Sequence, residues 1–82
     1  MTREEFMSGS PFRFPGDTEA YKYDETHGGE LMLLVNGEWH YSAAVYEIGE
    51  TTFTVYAVRI NGNVKRNYKT PYEYLIPFVL TF

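Results

Sequence analysis

The turn signals Asn36-Gly37, Gly49-Glu50 and Asn61-Gly62-Asn63 constrain this chain more than any other feature. They cut one long apolar segment into runs that adjacent antiparallel strands can use. Asn-Gly supplies the two left-handed residues of a type I′ hairpin, and Gly in first place suits a type II′ turn. With two-residue loops at 36–37 and 49–50, Leu34 falls opposite Trp39, Met32 opposite Tyr41, Tyr41 opposite Val58 and Trp39 opposite Ile60. One face then carries Met32, Leu34, Trp39, Tyr41, Ala43, Val45, Tyr56, Val58 and Ile60, which is the expected core face. The other face holds Ala44, Tyr46, Phe53 and Val55, too apolar for open solvent, so the sheet is expected to curl into a barrel or to be covered there.

The third turn is open by one residue, and a slip of one residue exchanges the faces of every side chain that follows. A three-residue loop at 61–63 sets Val64 opposite Ile60 and Tyr68 opposite Tyr56, both apolar matches. A two-residue loop turns Lys65 and Lys69 toward the core, where charges without partners are costly. The three-residue loop is therefore expected. It leaves Arg66 on the core side at the sheet edge and gathers Arg59, Lys65, Asn67 and Lys69 on the opposite face, with His40 across from Arg59.

The flanking segments complete a mainly β domain. TREEF reads as a short helix, because Thr2 can cap it and Glu5 can close a capping box. PFRF and EAYKYDE alternate as strands around the turn signal PGD, and His27-Gly28-Gly29 forms the next loop. TPYEYL predicts a helical turn near 71–75, with Thr70 as cap and Pro71 in first position. The last segment, PFVLTF, alternates Phe78, Leu80 and Phe82 as a strand that needs a partner, so a homo-oligomer formed through residues 78–82 is expected. The 82 residues show no linker or repeat and are read as one domain, 1–82.

The order of a meander, one helical turn and a final short strand is similar to SH3-like small barrels. The expected fold is thus a small antiparallel meander curled into an SH3-like, partly open barrel with a short N-terminal helix. Within it, GEWHYSAAVYEIGETTFTVYAV resembles the Tudor pattern of a WY-x-A-x-V strand followed by a valine-rich one, over about a quarter of the chain. The aromatic cage that Tudor domains use for methyl-lysine does not carry over, because its positions have no secure match here.

The residues for catalysis are missing at the level of motif. Ser8, Ser10 and Ser42 lie in no nucleophile elbow, and the glycines form no dinucleotide or phosphate-binding loop. Asp24, Glu25 and His27 could offer ligands from one loop, yet they lack the fourth ligand of a metal site. No enzyme activity, cofactor or metal is expected. The absence of cysteine excludes a disulfide framework and suits a reducing cytoplasm. MTREEFMSGS has acids where a signal peptide has its apolar core, and LMLLV is far too short to span a bilayer.

Charge gives the functional clue. RINGNVKRNYK holds four of the seven Lys and Arg, although the formal net charge of the chain is -4. Cations on an edge hairpin also discourage strand association, so a solvated edge is an alternative account of the whole bias. As an anion site the segment offers Arg59, Lys65, Asn67, Lys69 and Tyr68, with His40 alongside. Duplex nucleic acid is disfavoured by the acidic total, since that affinity comes mainly from neutralised phosphates. The acidic cluster Asp17, Glu19, Asp24, Glu25, Glu30 and Glu38 could instead face a basic partner and imitate nucleic-acid charge.

A short, acidic, Tyr-rich chain of this kind is similar to the accessory proteins of bacteriophages. The expected function is a non-enzymatic binding protein that blocks a host protein factor in the host cytoplasm. One alternative is a sequestering protein for a nucleotide or short single strand, with a pocket around the basic hairpin. Another is a structural component of a virion or its assembly.

Overall fold

The computed structural model describes residues 1–80. Helix α1 (Arg3–Met7) precedes seven strands: β1 (Phe12–Arg13), β2 (Tyr21–Asp24), β3 (Glu30–Val35), β4 (Glu38–Ile48), β5 (Thr52–Ile60), β6 (Asn63–Pro71) and β7 (Ile76–Pro77). Their order in the sheet is β6-β5-β4-β3-β2-β1-β7, a meander whose last strand returns beside the first. The result is a curled half-barrel, SH3-like and partly open, as the turn pattern predicts.

Local chemistry sets the ends of these elements. The Thr2 hydroxyl accepts from the Glu5 amide at 3.1 Å, and the Glu5 carboxylate accepts from the Thr2 amide at 2.8 Å, which closes the capping box. The helix thereby aims Phe6 into the core, where it stacks on Phe53 at 4.4 Å and on Tyr23 at 4.9 Å. Phe12, Phe14, Tyr21 and Tyr72 complete an aromatic centre that a small domain needs to offset its limited burial. At the other end a 3-10 turn, Tyr72–Tyr74, leads into β7. Thr70 does not cap it. Thr70 is a buried strand residue opposite Phe53, and the turn has no side-chain cap.

The Asn36-Gly37 hairpin forms as read, with φ of 51° and 80°, and Leu34 faces Trp39 and Met32 faces Tyr41. The expected core face nevertheless divides, because Leu31 pairs with Ala43 while Met32 pairs with Tyr41. Ser42 is therefore an extra, bulged residue. On one side of it Ala43 and Val45 point inward with Leu31; on the other, Trp39 and Tyr41 stand outside with Met32 and Leu34. A second bulge at Tyr46 lies between the pairs Val45–Val55 and Glu47–Thr54. These two bulges let β4 pair with β3 from Glu38 to Ala44 and with β5 from Val45 to Ile48. The expected pairs of Tyr41 with Val58 and of Trp39 with Ile60 do not form, since the β4–β5 ladder runs only from Val45–Val55 to Ile48–Phe53.

The next two turns also differ from the sequence reading. The Gly49 amide donates to the Thr52 carbonyl at 2.8 Å, so Glu50 and Thr51 make the tip and Gly49 is not left-handed. Its lack of a side chain serves close approach instead, because a Cβ there would lie 3.0 Å from the Thr52 oxygen. At the third turn Ile60 pairs with Asn63, so the loop is the two-residue Asn61-Gly62, with φ of 50° and 80°. The burial penalty expected for Lys65 does not arise, since β6 is an edge strand and Lys65 stays exposed opposite buried Val58.

Strand β5 changes face midway. Phe53 and Val55 point inward, and so do Val58 and Ile60, which reverses the alternation at Tyr56 and Ala57. Opposite this point Asn67 adopts φ 48°, and the pairing resumes in the same register on both sides. Both strands kink together, so no register shift is needed.

The C-terminal strand is Ile76–Pro77 and pairs with β1, and the Phe78 amide donates to the Pro11 carbonyl at 3.0 Å. Its pairing demand is met within the chain. The alternating strand expected over 78–82 is absent at residues 78–80, where Phe78 and Leu80 are half-buried; Phe82 lies outside the described residues. Among the described residues, no helix is long and apolar enough to cross a membrane.

Candidate functional site

The two faces exposed by the bulges are the functional candidates. The first is the outer face of β2–β4, with Lys22, Met32, Leu34, Trp39 and Tyr41 in neighbouring register positions. Met32, Leu34 and Trp39 are half-buried and Tyr41 is 61% exposed. The Lys22 ammonium lies 4.7 Å from the centre of the Trp39 ring, a cation–π contact. A Trp and a Tyr on a rigid sheet offer large contact area at small entropic cost.

The second is the outer face of β4–β6. Tyr46 and Tyr56 pack at 4.4 Å with rings inclined by 37°, and both remain exposed. Asn67 lies beside Tyr56, Arg66 opposite Ala57, Arg59 opposite Val64, and Lys69 opposite Thr54. Residues 52 to 71 contain no acid. The one carboxylate in register with this face, Glu47, accepts a hydrogen bond from the Thr54 hydroxyl at 3.3 Å.

This arrangement revises the anion site. Arg59, Asn67 and Lys69 stand on the outer face, joined by Arg66, which the three-residue loop had placed inward. Lys65 shares a face with Val58, and Tyr68 turns inward, half-buried and edge-on to Phe14 at 5.9 Å. His40 is not across from Arg59. It lies opposite Leu33, with Nε2 3.7 Å from the Glu38 carboxylate. Tyr46 is read from sequence on the face expected to be covered and Tyr56 on the core face; both are exposed, because the bulge at Tyr46 and the reversal of β5 after Tyr56 have no turn residue to announce them.

Where β4 and β5 part, a cleft of about 600 Å³ opens, lined by Asp17, Tyr21, Leu33, Ser42, Arg59 and Asn61 among others. Its two buried polar side chains, Asp17 and Tyr21, find partners within the chain. Asp17, though expected in an exposed acidic cluster, is buried and accepts from the Thr18 and Glu19 amides. The Tyr21 hydroxyl lies 2.9 Å from the Arg59 carbonyl and 3.2 Å from the Asp17 carboxylate, both acceptors for its single proton. Burial, reinforced by Asp17, pushes the Tyr21 phenol far above its ordinary range. Asp24, the leading ligand of the loop considered for a metal, instead accepts from the Thr26 hydroxyl at 2.6 Å and amide at 2.9 Å, which hold its carboxyl below the usual value. Among the described residues no three His, Asp or Glu side chains converge as a metal site would require.

No family model matches the chain, and neither a curated protein nor a solved structure matches it. Its function has to be read from these faces.

Proposed function

We propose that this chain is a non-enzymatic binding protein that docks on a protein target and blocks it, in the manner of small phage accessory proteins acting on a host factor. The observation that carries the reading is the apolar outer face of Met32, Leu34, Trp39 and Tyr41, which the Ser42 bulge separates from the core. Side chains of this size left outside a small domain gain little for folding. They suit the centre of a protein interface, where Trp and Tyr dominate binding energy and a polar rim excludes water. Lys22 on one side and Glu38 and Asn36 near the hairpin supply such a rim.

The test is affinity capture from host cytosol with the wild-type chain and the variants Tyr41→Ala, Trp39→Ser and Tyr74→Ala. One protein retained stoichiometrically by the wild type and by Tyr74→Ala, and lost from the other two, is the expected result. Retention that survives both Trp39→Ser and Tyr41→Ala, with folding verified by circular dichroism, overturns the reading.

A further inference from the structure

We infer that the second face, the outer surface of β4–β6, binds short single-stranded nucleic acid. This goes beyond the protein docking proposed for the face of Trp39 and Tyr41, and either can fail without the other.

Three features point to this ligand. First, Tyr46 and Tyr56 present π-surface to solvent, 45% and 58% exposed, and their mutual packing at 4.4 Å fixes them as a platform. Bases stack on such rings whatever their sequence, because every base has a π-face. Second, cations flank the platform on both sides. Neighbouring strands lie about 4.8 Å apart and successive residues about 3.4 Å, so Arg66 and Lys69 arise within about 5 to 9 Å of Tyr56, close enough to meet phosphates beside a stacked base. Arg59, Arg66 and Lys69 have no carboxylate within salt-bridge distance among the described residues. Third, the platform stands apart from the cleft where β4 and β5 part: Arg59 lines that cleft, but Tyr46, Tyr56, Arg66 and Lys69 do not.

The charge pattern separates this ligand from duplex DNA and from a free nucleotide. Three cations on a chain of net charge -4 are too few for a duplex, whose affinity rests on many phosphate contacts. A mononucleotide asks for a concave pocket, and neither the two tyrosines nor Arg66 and Lys69 line the cleft. A single strand of a few nucleotides needs only stacking and a short basic track. The device that creates the platform is the concerted kink: the Tyr46 bulge and the φ of 48° at Asn67 bring Tyr46, Tyr56 and Asn67 outward in one row across three strands.

The experiment is fluorescence anisotropy of an end-labelled twelve-residue oligothymidylate titrated with the full chain from 50 to 300 mM NaCl. Saturable binding is expected, with log K falling against log salt at a slope of about -2, as two or three neutralised phosphates on a single strand require. Tyr56→Ala and Arg66→Ala should each weaken binding about tenfold or more, Tyr56→Phe should retain it, and Trp39→Ser should leave it unchanged. Amide spectra of each variant, compared with the wild type, verify the fold. No binding at 50 mM NaCl, equal affinity for a duplex of the same length, or an affinity that Tyr46→Ala and Tyr56→Ala leave intact overturns the inference. So does equal binding of poly-glutamate, which would assign the face to an acidic protein surface.

Discussion

The Tyr21 hydroxyl reaches the Arg59 carbonyl at 2.9 Å, and this contact joins β2 to β5 across the gap where β4 and β5 have parted. It ties the two halves of the curled sheet at a place where no ladder does. Tyr21→Phe leaves the ring packing and removes the donor. The Arg59 carbonyl and one Asp17 oxygen then lose their partner, and the expected loss is about 1–3 kcal/mol, measured as a lower urea midpoint at pH 7. Unchanged stability would mean that water replaces the hydroxyl at no cost.

Alkaline stability follows from the same core. Burial is the leading cause that raises the phenols of Tyr21, Tyr23 and Tyr72 above their ordinary value. A raised folded value means that the neutral form is preferred in the fold. The stabilisation is complete below the unfolded value of about 10 and is lost as pH rises through the folded values. Urea midpoints measured from pH 8 to 12 should fall above about pH 10, and Tyr21→Phe should flatten that fall.

Acid acts through two surface carboxylates, both shifted downward. Hydrogen bonds from Thr2 lower Glu5, and those from Thr26 lower Asp24. Their contribution is present above the unfolded values, about 4.3 and 3.9, and is lost as pH falls through the folded ones. Glu5→Gln keeps an acceptor for the Thr2 amide but cannot titrate. Its stability should therefore decline less between pH 5 and pH 2 than that of the wild type, as read from thermal midpoints.

Asn67 is the pivot of the face change in β5 and β6, with φ 48°. Asn67→Gly should be tolerated within about 0.5 kcal/mol, whereas Asn67→Val should cost about 1–2 kcal/mol, because a branched side chain resists left-handed backbone. Chemical denaturation of both variants checks this. Equal stability would show that the kink is not held at this residue.

Phe53 has no exposed surface and packs on Phe6 at 4.4 Å and on Tyr72 at 5.6 Å. Phe53→Ala should cost about 3–5 kcal/mol by urea denaturation, since the rings around the gap belong to α1, to β1 and to the 3-10 turn, which cannot all collapse inward. A loss below about 1 kcal/mol would require α1 to resettle.

One cap and two turns were legible because their chemistry is local. Thr2 with Glu5, Pro15-Gly16 and Asn36-Gly37 announce themselves within four residues, and each forms. The faces were less legible. Bulges at Ser42 and Tyr46 arise because a strand must curve to share two neighbours, and that demand comes from the aromatic centre around Phe6 rather than from Ser42 or Tyr46 themselves. The same limit explains Arg66. Its side follows from whether Asn63 belongs to the turn or the strand, and a penalty for burying Lys65 was weighed where the edge of the sheet imposes none. Arg59, Asn67 and Lys69 kept their common face only because it reverses at Tyr56.

The meander order has a kinetic consequence. Each ladder from β1 to β6 joins strands adjacent in sequence, so these contacts can form early by closing short loops. The pairing of Phe12 with Pro77 is different: it joins distant parts of the chain and cannot be rewarded until everything between them is arranged. The strand that completes the half-barrel is thus expected to dock last and detach first, which makes the β1–β7 seam the place where hydrogen exchange should report opening before the rest of the sheet gives way.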